Sequence, residues 1–354
     1  MSIKVGIIGA GAIANDHCKN VARYPGAELA AIADLSAQRR KEIKKAYGMA
    51  RDFASWEALV ADKEIDAVTI ALPNSLHASA ALAAIAAGKH VLIDKPFTMN
   101  LAEARKIAAA AKKRGLVVLV GMNQRYSSDT QTLRKIVERG DLGEIYHTKA
   151  YWLRRTGAPK FGTWFVNKKL SGGGCLLDIG VHILDLGMYL SGLWNPVAVT
   201  GKVYTNFGHR GFGEGSWGKS DVKRNIKFDV DDFATALITY ENGATMELNV
   251  SWVMHQETHG RHNVELFGTE GGAALRPLKM FRFAKKRGEY EVVEPQGVHV
   301  PDMRDCRQFD WLDAISGKRA AICSIEQSLV TQQLIDAIYR SSETGRQIKL
   351  KPLS

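Results

Sequence analysis

The chain of 354 residues is 45% hydrophobic and 24% charged, a balance that excludes an intrinsically disordered protein and suffices for one large domain or two ordinary ones. The formal charge of +11 could signal a nucleic-acid partner, but the basic residues sit in short segments mixed with acids, "RRKEIKK" (39–45), "KKR" (112–114) and "KKR" (285–287). These read as solvated faces, with no aromatic-interleaved basic motif or zinc finger beside them. No run reaches the roughly 18 apolar residues of a membrane span, and the apolar start "IKVGIIGAGAIA" is broken by glycines unlike a signal peptide. Cys18, Cys175, Cys306 and Cys323 form no C-x-x-C pair, so free thiols, no metal site and a cytoplasmic protein are expected.

Residues 1–122 alternate strand and helix. "KVGIIG" (4–9), "ELAAIAD" (28–34), "DAVTIAL" (66–72), "HVLID" (90–94) and "LVVLVG" (116–121) are apolar at nearly every position, as strands covered on both faces are. Between them, "SAQRRKEIKKAYG" (36–48), "SLHASAALAAIAAG" (75–88) and "NLAEARKIAAAAKKRG" (100–115) each open on a Ser or Asn that can cap and close on a Gly. Repeated strand-helix-strand units imply an α/β domain with a doubly wound parallel sheet, whose ligands bind at the carboxyl ends of its strands.

From residue 123 to 354 the pattern changes. After a helical "DTQTLRKIVERG" (129–140) come "EIYHTKAYWL" (144–153), "ATALITYENGATMELNVSW" (234–252) and "NVELFGTEGGAALR" (263–276), strands joined by turn signals, with Asn-Gly marking a hairpin. A mainly antiparallel α+β domain is expected, flanked by helices at "SGGGCLLDIGVHILDLGMYLSG" (171–192) and "SIEQSLVTQQLIDAIYRSSETG" (324–345). "NFGHRGFGEGSWGKS" (206–220) reads as a long loop, functional or mobile.

Three segments carry chemistry. "GAGAIA" places Gly9, Gly11 and Ala14, with Ala12 and Ile13 between, directly after the first strand and at a helix start. Gly9 permits the tight turn, Gly11 lets backbone approach a pyrophosphate, and Ala14 allows close helix packing. Asp34, ending the second strand, can accept from a ribose diol and would repel a 2'-phosphate, which favours NAD over NADP, although Arg39 and Arg40 argue the reverse. In "ALPNSLHA" (71–78), Leu72, Pro73 and Asn74 would line the cofactor cleft; His77 reads as a cofactor-side contact or a helix-surface residue.

"HVLIDKPFTMN" (90–100) ends a strand at Asp94 and Lys95, and Pro96 cannot extend the ladder. Lys95 is thereby held at the sheet rim, where an ammonium group stabilises an alkoxide or shuttles a proton; alternatively it is a surface lysine paired with Asp94. "SGGGCLLDIGVHILD" sets Asp178 and His182 four apart, on one face of an otherwise apolar helix. An imidazole there can take a hydroxyl proton while hydride leaves the same carbon, and the acid can orient substrate; the other reading is a hydrogen-bonded pair holding helix to sheet.

"VGIIGAGAIA", "TIALPNSLHA", "HVLIDKPFTMN", "VGMNQRYS" and "GGGCLLDIGVHILDLGMYL", in that order and over essentially the whole chain, resemble the glucose-fructose oxidoreductase / inositol dehydrogenase (Gfo/Idh/MocA) family. The resemblance implies a Rossmann domain followed by an open-faced sheet that often mediates homodimers or homotetramers, with NAD or NADP in the cleft between, and oxidation of a secondary hydroxyl of a sugar, glycoside or cyclitol. It maps the family's E-K-P lysine and D-x-x-x-H pair onto Lys95, Asp178 and His182, with Asp94 standing where the usual Glu would be. It adds Asn123 and Arg125 as cofactor or substrate contacts. Substrate groups from the second half are expected in "YWLRRTGAPKFGTWF" (151–165), at Tyr151, Arg154, Arg155 and Trp164, with Arg155 equally readable as a surface ion pair. A redox-neutral enzyme that oxidises transiently and then eliminates or epimerises would use the same residues. A non-catalytic dinucleotide-binding protein is the alternative from another class.

Overall fold

The computed structural model describes residues 2–218, 227–284, 288–295 and 306–353. The expected basic run at 285–287 and the last two residues of the 206–220 loop lie outside these described residues. The chain forms two compact units: Met1–Met122 with Lys169–Gly172 and Met303–Gln332, and Asn123–Lys168 with Gly173–Asp302 and Gln333–Ser354.

The first unit begins β1 (Ile3–Ile8), α1 (Ala14–Ala22), β2 (Ala27–Ala33), α2 (Ala37–Tyr47), β3 (Arg51–Phe53), α3 (Trp56–Ala61), β4 (Ala67–Ile70), α4 (His77–Ala86), β5 (His90–Ile93), α5 (Leu101–Arg114) and β6 (Val118–Val120). Its six strands are all parallel in the order β3-β2-β1-β4-β5-β6. The order reverses between β1 and β4, the switch point at which such sheets bind ligands. β4 and β6 are buried at every position, the consequence of helices on both faces. Ser36 and Asn100 cap α2 and α5 through the amides of Arg39 and Glu103, and Gly48 and Gly115 close them with left-handed φ of 67° and 65°. Ser75 does not cap α4. A 3₁₀ turn over Asn74–Leu76 intervenes, and the helix starts at His77. β3 and α3, too short to show a period, are additions to the expected elements.

The second unit continues with α6 (Ser128–Glu138), β7 (Ile145–Arg154), α7 (Lys168–Ser171, shared across the division), α8 (Val181–Ser191), β8 (Pro196–Tyr204), β9 (Phe233–Tyr240), β10 (Thr245–Ser251), β11 (Gly260–Gly268), β12 (Gly272–Leu275), β13 (Leu278–Phe283) and β14 (Tyr290–Val293). α9 (Arg307–Ile315) belongs to the first unit, α10 (Ile325–Thr344) passes from the first to the second, and β15 (Ile348–Lys349) closes the chain. The sheet has nine strands in the order β14-β13-β12-β11-β7-β10-β9-β8-β15, antiparallel except for β10 beside β7. Asn242 and Gly243, the latter at φ 85°, turn β9 into β10 as the dipeptide foretells. α8 packs on the sheet face bearing Ala150, since a side chain on Gly187 would meet Met246 and Ala150. The 24-residue stretch Lys168–Ser191 has the length and apolarity of a membrane-crossing helix, and its apolar window is entirely buried.

Candidate active site

In the first unit the glycine turn follows β1. Gly9 has φ 98°, and a Cβ there would collide with the Ala71 carbonyl oxygen; one on Gly11 would meet nothing within 4 Å. No side chain caps α1, Ala14 is buried, and Ile13 is 38% exposed. An uncapped helix end beside an open glycine fits a pyrophosphate. Asp34 brackets the turn: Oδ2 accepts from the Ala10 amide at 2.8 Å and Oδ1 from the Ser36 amide at 2.8 Å. Arg40 is committed to Asp52 and to the Asp34 carbonyl, while Arg39 stands in the first turn of α2, half-buried. Leu35, 90% exposed at the end of β2, presents an apolar surface fit for an adenine; nothing in the strand pattern marks it.

Leu72 and Pro73 are half-buried after β4, and Asn74, buried, donates to the Ser171 carbonyl at 2.7 Å. His77 corrects the expectation of a surface or cofactor-side residue. It is buried, with Nδ1 2.9 Å from the Pro96 carbonyl oxygen and Nε2 2.9 Å from that of Leu72, so it ties the β4 loop to the turn carrying Lys95. Burial pulls its pKa below the ordinary value, against the pull of those two carbonyls. Lys95 is half-buried. Asp94 turns its carboxylate to His17 Nε2 at 3.2 Å and Arg307 Nη2 at 3.6 Å. Burial alone would raise its pKa, but the His17 ring and the Arg307 guanidinium beside it outweigh that and hold it well below the usual carboxylate range.

In the second unit Asp178 and His182 are each 8% exposed. The helix is not regular here: Leu176–Gly180 forms a π-turn that runs into α8, the kind of widened turn frequent at functional sites. The Asp231 carboxylate, just before β9, secures its start by accepting from the amides of Gly174 at 2.7 Å and Leu176 at 2.8 Å and from the Tyr339 hydroxyl at 2.8 Å. A side chain on Gly173 would collide with Tyr339, and one on Gly174 with the Asp231 backbone, which explains the glycine run. Asp178 Oδ2 accepts from the Trp252 indole at 2.9 Å. The His182 ring stands 6.0 Å from Trp152, whose other neighbours are His262, stacked at 4.9 Å, and the Arg154 guanidinium at 5.3 Å. Burial pulls the Arg154 guanidinium below its usual pKa, partly offset by the Asp178 charge.

Two expected substrate contacts, Arg125 and Tyr151, are corrected. Arg125 is wholly buried and gives Nε and Nη2 to Asp185 at 2.8 and 2.6 Å, beneath Tyr189 and Trp194. It is a cross-link of the interior with no surface to offer a sugar. Tyr151 alternates with Trp152 along β7, so it faces away from α8 and donates to Glu265 at 2.8 Å. Arg155 is exposed and donates to the Glu257 carbonyl at 3.2 Å. Asn123 is exposed in the 3₁₀ turn that opens the second unit. Trp164, half-buried, stacks on Phe165 at 3.8 Å, and Trp217 of the glycine-rich loop meets Phe165 edge-on. The start of that loop is held by Asp232, which accepts from the amides of Asn206, Phe207 and Gly208. Trp152, Trp252, His262 and Asp231 escaped the sequence reading. Only the acid cluster at 229–232 could have signalled one of them.

A glycine turn with an acid after β2, a lysine at a neighbouring strand end and a carboxylate-imidazole pair in a separate sheet domain define an NAD-dependent oxidoreductase. The model "Oxidoreductase family, NAD-binding Rossmann fold" of the Gfo/Idh/MocA type matches residues 3–122, and the GFO/IDH/MocA C-terminal domain model matches 130–274. D-glucoside 3-dehydrogenase of Escherichia coli (strain K12) is 32% identical over 98% of this chain and 97% of its own length. Levoglucosan dehydrogenase of Pseudarthrobacter phenanthrenivorans is 28% identical over 76% of this chain and 72% of its own. The structure of levoglucosan dehydrogenase in complex with NADH and levoglucosan shares the fold over 100% of both chains, at 23% identity and a TM-score of 0.85. The chain belongs to the Gfo/Idh/MocA family of oxidoreductases.

Proposed function

We propose that the protein oxidises a secondary ring hydroxyl of a sugar or glycoside, or reduces the matching ketone, with His182 as the proton acceptor, Lys95 as the oxyanion stabiliser and Asp178 as the group that orients substrate. Bound NAD supplies the hydride acceptor. His182 takes the hydroxyl proton as the carbon is oxidised, Lys95 offsets the charge left on that oxygen, and Trp252 keeps Asp178 turned by holding Oδ2. The observation that carries the reading is an acid and an imidazole, both 8% exposed, at the π-turned start of a helix whose other buried positions are almost all apolar. Two polar groups are costly among apolar positions, which a role toward the substrate would explain. The names of the full-length relative and of levoglucosan dehydrogenase support the sugar class.

Arg154 and Trp164 are proposed to contact the substrate, and the turn residues Gly9 to Ala14 with Asp34 and Asn74 the cofactor. A homodimer or homotetramer formed through the nine-stranded sheet, working in the cytoplasm, completes the proposal. It is supported by the half-exposed Leu237 on the outward sheet face and by four free cysteines. NAD reduction measured across hexoses, glycosides, sugar acids and inositols tests the reading. A substrate turned over by the wild type and lost in Lys95→Ala and in His182→Ala supports it; full activity in either variant refutes it.

A further inference from the structure

The end of β5 is anchored from behind by residues that no part of the reaction uses. Arg307 of α9 gives Nη2 to Asp16 of α1 at 2.8 Å and lies 3.6 Å from Asp94 Oδ1. It passes close over Gly121, where a Cβ would stand 2.9 Å from Arg307 Cδ and 3.3 Å from Asp94 Oδ1, so any larger residue at 121 would crowd the pair. Gln308 donates through Nε2 to Asp16 Oδ2 at 3.1 Å, which identifies that atom as the amide nitrogen, and the same nitrogen stands 3.1 Å from His17 Nδ1. His17 Nδ1 therefore accepts, and the imidazole proton sits on Nε2, which faces Asp94 Oδ2 at 3.2 Å. The Asp94 carboxylate thus has the His17 ring beside Oδ2 and the Arg307 guanidinium beside Oδ1, both within ion-pair range. His17, Gln308 and Arg307 are at most 5% exposed, while the residue that follows Asp94 is Lys95, and the carbonyl of Pro96 after it is held by His77.

We propose that Arg307 and His17 are positioning residues for Lys95: by gripping the Asp94 carboxylate they fix the strand end from which the lysine projects. α9 follows the whole sheet domain in sequence yet belongs to the first unit, packing Phe309 edge-on against Tyr24 just beyond α1. The helix that follows the glycine turn, the returning α9 and the strand end before Lys95 are joined by one set of partly buried polar contacts. The proposal rests on the reading of Lys95 as catalytic.

A double-mutant cycle tests it. Arg307→Met is made in the wild type and in Lys95→Met, with kcat, KM and the Kd for NADH measured in each. The expected result in the wild-type background is a kcat lower by about 10- to 100-fold, the scale on which a displacement near 1 Å acts. KM and the NADH Kd stay within about twofold, and Arg307→Lys retains most of kcat. In the Lys95→Met background Arg307→Met adds less than about twofold. An equal loss in both backgrounds, or full kcat for Arg307→Met, overturns the positioning role. Full turnover in Lys95→Met alone overturns the assignment of Lys95 and this proposal with it. Should Arg307→Met not fold, His17→Gln against His17→Leu gives the same comparison: the amide keeps a donor toward Asp94 and most of kcat, leucine loses both, and equal kcat in the two variants overturns the proposal.

Discussion

Lys95 stands at the end of a parallel strand and is held through its neighbours, Asp94 by His17 and Arg307 and Pro96 by His77. Asp178 and His182 stand at a helix start secured by a carboxylate from another segment, Asp231. The first unit gathers donors around an acid; the second uses an acid to satisfy the amides that a helix leaves open at its start. In the first the anchored group is adjacent in sequence to Lys95, and in the second it lies two to eight residues upstream of Asp178 and His182. Errors in either anchor therefore reach Lys95 and His182 by different routes: a shift of strand end in one unit, a change of helix register in the other.

The largest effect separates the reactive groups from their anchors. Lys95→Ala or His182→Ala should lower kcat by about 10³-fold or more, the scale of a lost proton-transfer or oxyanion contact. NADH binding, followed by fluorescence titration, should persist. Next comes the interior of the second unit. Arg125→Met leaves Asp185 buried without its partner and should cost about 3–5 kcal/mol, read as a fall in the denaturant midpoint. KM for sugar in the surviving folded protein should not move. A raised KM without lost stability would restore Arg125 to the substrate site and blur the contrast drawn between the units.

The parallel sheet was legible because its strands are buried on both faces and its turns carry glycines that only one conformation explains. Gly9 is the clearest, since its φ and the nearby Ala71 carbonyl exclude any other residue. The nine-stranded sheet was legible where a turn dipeptide announced it, at Asn242-Gly243, and obscure at β8, β13 and β14, where exposed and buried positions mix and no short turn motif sits between. Asp178 and His182 could be picked out as polar residues in an apolar helix. The widened turn that carries Asp178 could not, because its start is held by Asp231, some fifty positions later. Arg125 misled for the opposite reason. A lone arginine after a domain boundary reads as a ligand group, and only the three-dimensional meeting with Asp185 shows its charge already used.

A smaller effect concerns the cofactor side alone. Asp34→Asn keeps one acceptor for the Ala10 or Ser36 amide and removes the charge, so NADP should gain on NAD by roughly tenfold in kcat/KM, the equivalent of about 1.4 kcal/mol. An unchanged ratio would place discrimination elsewhere, with Arg39 the first alternative on the same turn.

The smallest effect is a pH dependence shared by both units. Burial lowers the pKa of His77 and His90 in the first and of His147 and His262 in the second. Below the ordinary histidine value the unfolded chain then binds more protons than the folded one, so stability is lost as pH falls from 7 toward 5. Asp94, held low by His17 and Arg307, contributes stability above the ordinary carboxylate range and adds a further loss only below it, as pH falls toward its folded value. Thermal melts should show Tm declining on the acid side by about 2–4 °C for each kcal/mol lost. His77→Gln removes the most deeply buried of the four imidazoles and should flatten the slope between pH 7 and 5. A slope unchanged in that variant would mean that folding leaves the proton affinity of His77 unaltered.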